Sequence, residues 1–200
     1  MTLREIAMHC KIKQSEREAD KYKQQSDLYE SVLTGTVTEF IVPKSWTKIR
    51  QGMFYSCVKL TNITIPNTIK TIEVSAFSFC SGLKSVDIST GVLEIKNNAF
   101  YSCSALTDIT IPSGVTTVSA TAFTGCSNLT NVTLGNGFNA NTLNLSSSTK
   151  YSVDTIVAML TALADRSNQS AYTLTLGATN LAKLSDEQKA IATDKNWTLA

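Results

Sequence analysis

Residues 76–112 read AFSFCSGLKSVDISTGVLEIKNNAFYSCSALTDITIP, and this stretch holds one unit of a 23-residue pattern and the start of the next. The same step of 23 links four columns of apolar residues along the chain. These columns are Phe54, Phe77, Phe100 and Phe123; Cys57, Cys80, Cys103 and Cys126; Leu60, Leu83, Leu106 and Leu129; and Ile49, Ile72, Ile95 and Val118. Four columns with one period indicate an internal repeat whose units stack, because each is too small to bury its own apolar face.

One unit shows how the repeat is expected to fold. Ile63 and Ile65 alternate with polar residues, which is typical of a strand with one buried face, and Pro66 ends the strand because it lacks an N–H donor. A fixed period of about 20–29 residues is typical of a leucine-rich solenoid. The sequence therefore predicts an α/β leucine-rich-repeat solenoid with a parallel β-sheet and one strand per unit.

The pattern resembles the BspA-like leucine-rich repeats. Their signature, A-F-x-x-C-x-x-L-x-x-[IV]-x-[IL]-P, can be read in Ala76–Ser89 and Ala99–Pro112, with Ser89 replacing the proline in the first. The resemblance implies the solenoid fold and a role in adhesion or recognition. It says little about the particular ligand, since such repeats serve recognition broadly.

The composition divides the chain into three parts. We expect a helical anchoring or oligomerisation segment at 1–36, the repeats at 37–138 and helical capping repeats at 139–200. The first segment holds 12 of the 34 charged residues. Apolar residues at heptad spacing, interrupted by serines, predict either a solvated or capping helix or an oligomerising one. The stripe that would oligomerise is Ile12, Ala19, Tyr22, Tyr29 and Leu33.

The last part of the chain predicts strands alternating with true helices. Ser152 precedes an apolar helical pattern, and Ser185 opens a second helix with capping-box spacing. Thr142–Ser146 and Tyr172–Leu176 alternate like strands. Trp197–Leu199 repeats Leu174–Leu176 at a step of 23, so the tail is expected to form two atypical repeats with true helices that end the solenoid.

This tail also resembles the C-terminus of minor structural and tail proteins of phages of gut bacteria. The resemblance lies in Tyr172–Gly177, Leu184–Ala192 and Lys195–Leu199. It implies a virion protein assembled in the host cytoplasm, with other virion proteins as partners and a homo-oligomer, a trimer by first expectation. The alternative is a bacterial cell-surface adhesin or protein-interaction module. Met1–Cys10 lacks an apolar export signal, which favours the virion.

The chemistry-bearing residues argue against an enzyme, a metal site and a cofactor. The single histidine, His9, cannot build a His-based triad or a two-histidine metal site. The cysteines lie 23 apart rather than in close pairs, so buried thiols are expected instead of ligands or disulfides. A net charge of +2 gives no reason to expect nucleic acid, and no apolar run approaches a membrane span.

Binding is the remaining function, and the solvent side of the strands is the candidate surface for a host surface protein or polysaccharide. It is small, polar and free of aromatic residues, so it lacks the usual protein hot spots. Tyr55 and Tyr101 share a column on the opposite flank, where they are either a sugar platform or ordinary surface residues. The candidate binding residues are Asn62, Thr64, Lys84, Asp87, Asp108, Thr110, Asn131 and Thr133.

Overall fold

Five parallel strands, one from each successive repeat, form the first sheet of the computed structural model, which describes residues 38–200. The sheet order follows the chain, and each residue pairs with the residue 23 positions later, as Ile63 does with Val86. The strands are β1 (Glu39–Ile41), β3 (Asn62–Thr64), β5 (Ser85–Asp87), β7 (Asp108–Ile111) and β9 (Asn131–Leu134). The parallel sheet and the 23-residue register predicted from the sequence are confirmed.

Each of the first four repeats also contributes a second, two-residue strand, which the sequence analysis did not predict. These strands are β2 (Lys48–Ile49), β4 (Thr71–Ile72), β6 (Glu94–Ile95) and β8 (Thr117–Val118), and they form a parallel four-stranded sheet. Only one residue of each faces the core, so the segment is too short to show an alternating pattern. The core therefore lies between two thin sheets.

The core is a set of ladders made by equivalent residues of successive repeats. The rings of Phe54, Phe77, Phe100 and Phe123 stack nearly parallel, with neighbouring centroids 5.1–5.4 Å apart and planes within 9° of each other. The thiols of Cys80, Cys103 and Cys126 each donate a hydrogen bond to the carbonyl of the phenylalanine 26 positions earlier, at 2.9–3.1 Å. The four cysteines of the column are buried, as expected, and each of these three thiols provides a weak donor inside the core.

The turn after each second strand contains a residue in the left-handed region. Ser56, Phe79, Ser102 and Gly125 share this column, with φ between 55° and 82°. The first three donate their N–H to a carbonyl of the next repeat at 2.7–2.8 Å. These inter-repeat hydrogen bonds hold the turn backbone in a conformation that most side chains disfavour.

Helices alternate with strands after Leu134, as the sequence predicts. The elements are β10 (Thr142–Asn144), α1 (Val153–Ala162), β11 (Tyr172–Thr175), α2 (Ala178–Leu181), α3 (Asp186–Thr193) and β12 (Trp197–Leu199). Ser152 accepts a hydrogen bond from the Thr155 N–H at 3.0 Å, and Ser185 makes a full capping box with Gln188. Both predicted N-caps are confirmed.

The predicted 23-residue step at the end of the chain is wrong. Strands β10, β11 and β12 form their own parallel sheet, in which Leu174 pairs with Leu199 and Tyr172 with Trp197, a step of 25. The alternating Leu-Thr-Leu and Trp-Thr-Leu motifs look alike in either register. Two helices separate these strands, and their geometry, rather than a short turn, sets the length of the unit.

Helix α1 ends the five-stranded sheet, because it packs against β9 where a sixth strand would otherwise lie. Its buried residues Ile156, Met159 and Leu160 continue the core of the repeats. Lys195 Nζ donates to the carbonyls of Leu160, Thr161 and Leu163 at the end of this helix. The predicted anchoring segment at 1–36, including Ile12, Ala19, Tyr22, Tyr29 and Leu33, lies outside the described residues.

Candidate recognition surface

The predicted binding residues lie together on the solvent side of the five-stranded sheet, called here the strand face. The strands alternate exposed and buried positions, so every second side chain reaches this side. Asp108 and Thr110 are half-buried in the middle of the face. The exposed members are Asn62, Thr64, Lys84, Asp87, Asn131 and Thr133.

One column of the strand face is joined by side-chain hydrogen bonds between neighbouring strands. Asn62 Nδ2 donates to Glu39 Oε1 at 3.1 Å, and Asn131 Nδ2 donates to Asp108 Oδ1 at 2.6 Å. Thr107 Oγ1 donates to the other oxygen of Asp108 at 2.5 Å. Both oxygens of Asp108 are therefore engaged by the protein itself.

A second column is tied to the backbone. Thr61 and Thr130 donate their hydroxyls to the carbonyl 23 positions earlier, at 3.0 and 3.3 Å, and the single hydroxyl proton of Thr107 is shared between the Lys84 carbonyl at 3.2 Å and Asp108 Oδ2. These bonds hold the threonine side chains in fixed rotamers. A partner of the strand face would meet preorganised polar groups and would pay little entropy to order them.

The two aspartates of the strand face differ in their electrostatics. The hydrogen bonds from Thr107 and then Asn131 lower the pKa of Asp108 below its ordinary value. Asp87 is exposed, lies between Thr64 and Thr110 in the sheet, and has no side-chain partner among residues 38–200. The lowered pKa keeps the Asp108 carboxylate charged at neutral pH, so it is not suited to donate a proton.

Sequence reasoning missed an apolar residue on this surface. Ile41 lies on β1, in the same column as Thr64 and Asp87, and is 74% exposed. Its position in the column could have been read from the step of 23, but the sequence analysis began the surface at the next repeat. The strand face is therefore polar over most of its length, with Ile41 as an exposed apolar side chain at its N-terminal end, on the same strand as Glu39.

The geometry gives no support for nucleophilic or metal chemistry within residues 38–200. Burial raises the pKa of Cys80 and of Cys126 to about 12, and it also raises the pKa of Cys57 and Cys103. Thiols held protonated in this way are poor nucleophiles and ligands. No group of three histidine, cysteine, aspartate or glutamate residues in this part of the chain is placed to hold a metal ion.

A small cleft lies at the N-terminal end of the repeats. It has a volume of about 170 Å³ and is lined by Ser45, Trp46, Thr47, Lys48 and Arg50. Ligand pockets usually occupy about 300–1,000 Å³, so this cleft is too small for a typical enclosed ligand. The ring centroids of Trp46 and Phe40 lie 6.2 Å apart, and Trp46 is partly buried against the core.

Stacked 23-residue units and two parallel sheets define a leucine-rich-repeat solenoid. The sequence profile of the BspA type leucine rich repeat region matches residues 29–151 in six copies. This match covers more than half of the chain, and the protein belongs to this family.

Two solved structures are similar to the chain, and the first shows the same architecture. The Leucine Rich Repeat protein of T. pallidum has a TM-score of 0.60 and 21% identity, over 82% of this chain and 72% of its own length. A leucine rich cell surface protein of Faecalibacterium prausnitzii is 35% identical over 49% of this chain, with a TM-score of 0.48. The aligned half of this chain spans 26% of the length of the Faecalibacterium protein.

No curated protein matches the chain. Within residues 38–200, no helix has both the length and the apolar character needed to cross a membrane.

Proposed function

We propose that the protein is a non-catalytic recognition module that binds its partner through the strand face. The single observation that carries this proposal is the preorganised polar surface of Asn62, Thr107, Asp108 and Asn131, in which side chains are held by hydrogen bonds between repeats. Such a surface can bind polar groups without reordering. Asp87 and Lys84 add opposite charges that a partner can pair with.

The first proposed setting is a bacteriophage particle, as a tail, fibre or decoration protein that displays the repeats for contact with a host protein or polysaccharide. The support is the resemblance of the tail residues Tyr172–Leu199 to phage minor structural proteins. The second setting is a bacterial cell surface, as an adhesin or interaction module. Its support is membership of the BspA-type family and the cell-surface description of the Faecalibacterium protein.

Oligomerisation through residues 1–36 is part of the proposal. Ile12, Ala19, Tyr22, Tyr29 and Leu33 have heptad spacing, and the serines within the stripe weaken association of an isolated segment. We expect the full chain to form a homo-oligomer, with a trimer as the first expectation, while a 37–200 fragment is monomeric. Light scattering measures the oligomeric state of both samples. If the full chain and the 37–200 fragment have the same oligomeric state, residues 1–36 have a capping role instead.

The strand face is tested by binding to intact particles and intact cells of the producing strain. The full chain is compared with a variant carrying Asn62→Ala, Asp87→Ala and Asn131→Ala, three changes on one surface. We expect the variant to lose binding that the parent shows. The matched control is Asn136→Ala, which changes an exposed asparagine in the turn after β9.

The two settings make different predictions for the native protein. Immunogold labelling with antibodies against 37–200 places the protein on purified virions in the first setting and on the bacterial envelope in the second. Equal binding by the parent and the strand-face variant would contradict the proposed contact surface in either setting.

A further inference from the structure

Three aromatic side chains form an exposed ridge on the turns, away from the strand face. Tyr55 is 54% exposed, Phe79 is 40% exposed, and Tyr101 is half-buried. Phe79 lies between the two tyrosines, with ring centroids 5.4 Å from Tyr55 and 5.3 Å from Tyr101. The three residues are called the turn ridge below.

The ridge exists because one repeat shifts its aromatic residue by one position. The turns of the outer two repeats contain Tyr55-Ser56 and Tyr101-Ser102, whereas the repeat between them contains Ser78-Phe79. Ser78 is buried, and its hydroxyl donates a hydrogen bond to the Asn98 carbonyl at 2.7 Å. The side chain at this position therefore points inward, whereas the equivalent Tyr55 side chain is exposed. The shift staggers the three rings, and they meet edge to face at 67° and 69°.

Phe79 occupies a strained backbone position. Its φ is +62°, in a column otherwise filled by Ser56, Ser102 and Gly125. A bulky residue is a genuine outlier in this region. The hydrogen bond from the Phe79 N–H to the Tyr101 carbonyl, at 2.7 Å, holds the backbone there. An aromatic side chain that is both strained and exposed contributes little to the core, and such outliers concentrate at binding sites.

The surroundings of the ridge are uncharged and rich in hydroxyl groups. Three turn positions in each of four successive repeats carry no charge, and the first charged residue after Tyr55 is the exposed Lys59. These positions are Tyr55, Ser56 and Val58; Ser78, Phe79 and Ser81; Tyr101, Ser102 and Ser104; and Thr124, Gly125 and Ser127.

The area of the ridge is small for a protein partner. A whole aromatic side chain carries about 150–250 Å², so the exposed fractions of Tyr55 and Phe79 amount to roughly 200 Å² together. A standard protein interface buries about 800 Å² on each partner. The exposed rings are, however, large enough to cover the faces of a few sugar rings.

We propose that the turn ridge binds a neutral polysaccharide strand. Aromatic rings of Tyr55, Phe79 and Tyr101 pack against the apolar C–H faces of successive pyranose rings, while the serine and tyrosine hydroxyls hydrogen-bond with the sugar hydroxyls. The site is separate from the strand face, so it holds whether or not the strand face binds a partner.

Isothermal titration calorimetry of the full chain with laminarin, dextran and galactomannan tests the proposal. We expect at least one of these neutral polysaccharides to bind. Phe79→Ser and the double variant Tyr55→Ser with Tyr101→Ser should each raise its Kd roughly ten-fold, since each removes aromatic contacts. The control Asn136→Ala, which changes an exposed residue outside the turn ridge and the strand face, should leave Kd unchanged.

A second variant separates binding from folding. Phe79→Gly should keep or raise the temperature of unfolding, because glycine adopts φ near +60° without strain, yet it should lose polysaccharide binding. Binding to none of the three polysaccharides, or undiminished binding by Phe79→Gly, would overturn the proposal. Dissociation of an oligomer by Phe79→Ser would also overturn it, by making the ridge a contact between protein copies.

Discussion

Residues 38–134 and residues 139–200 build the same kind of parallel sheet by different means. In the first region every step between paired strands is 23 residues, and equivalent side chains stack on one another. In the second region the steps are 31, from Thr142 to Thr173, and 25, from Tyr172 to Trp197. Helices between the strands account for the longer steps. Contacts made by individual side chains replace the ladders of equivalent residues. Trp197 Nε1 donates to the Ala164 carbonyl, and Asn180 Nδ2 donates to the carbonyls of Ser148 and Leu176.

The difference indicates which kind of contact provides the stability of each region. A ladder distributes it over many equivalent contacts, so a defect in the middle affects the repeats on both sides. The C-terminal region depends on a few side chains that have no equivalent elsewhere among the described residues.

The largest effect is expected from Phe100→Ala. It removes a fully buried ring that stacks on both Phe77 and Phe123, and a change of this kind costs about 3–5 kcal/mol. Denaturant unfolding measures the loss. The exposed Thr64→Ala should change stability by less than about 0.5 kcal/mol, and equal losses for the two would refute the inward and outward columns.

The C-terminal region should be sensitive to Lys195→Ala. Its ammonium group donates three hydrogen bonds to the carbonyls at the end of α1, at 2.6–3.3 Å. Hydrogen bonds from a charged group contribute about 1.5–3 kcal/mol, and its partial exposure places the expected loss at the lower end. Lys189→Ala is the matched control, because its exposed partner Asp186 lies 3.5 Å away in an ordinary surface pair. A similar loss for both lysines would refute the anchoring of α1.

A smaller effect is expected from Ser185→Ala, which removes the N-cap of α3. Loss of such a cap costs about 1 kcal/mol. Ser185→Asp should restore most of the stability, because aspartate also accepts from the Gln188 N–H that Ser185 Oγ binds at 3.2 Å. Thermal unfolding of both variants measures the difference, and no loss for the alanine variant would mean that tertiary packing alone fixes this helix.

The smallest effect concerns Asp108 and pH. Its folded pKa lies below the ordinary 3.8, so its contribution is present above that value and is lost as pH falls through the lowered pKa. Asp108→Asn should therefore flatten the decline of stability between about pH 5 and pH 2, measured by urea unfolding. An unchanged slope would show that Thr107 and Asn131 do not select the charged form.

The fold of the repeats could be predicted because its cause is periodic. Phe77, Cys80, Leu83 and Ile95 recur at one step, and stacking requires that step. The second strands were not predictable, because Thr71–Ile72 contains only one inward residue. The register of Trp197 was predicted wrongly, since the length of the unit depends on how α2 and α3 pack rather than on any repeated residue.

The strand face was located by the same periodicity, but its internal order was not. Alternation in β3 and β9 places Asn62 and Asn131 outside. The hydrogen bond between Asn131 and Asp108 depends on side-chain rotamers, which the sequence does not show. The turn ridge depends on the shift of one aromatic residue by one position, to Phe79, and on the φ angle of that residue. The φ angle is not visible in the sequence, so the ridge was not predicted from it.

The uniform register of β1 to β9 makes the molecule adjustable in length. After insertion or removal of one 23-residue unit between two existing repeats, each remaining repeat would still pack against a repeat with equivalent residues at the paired positions. Each such change would move α1 relative to the N-terminal end by the spacing of parallel strands, about 4.7–4.9 Å. The repeats therefore set the distance between the two ends of the solenoid in steps of one strand spacing. This distance can be altered without designing a new contact.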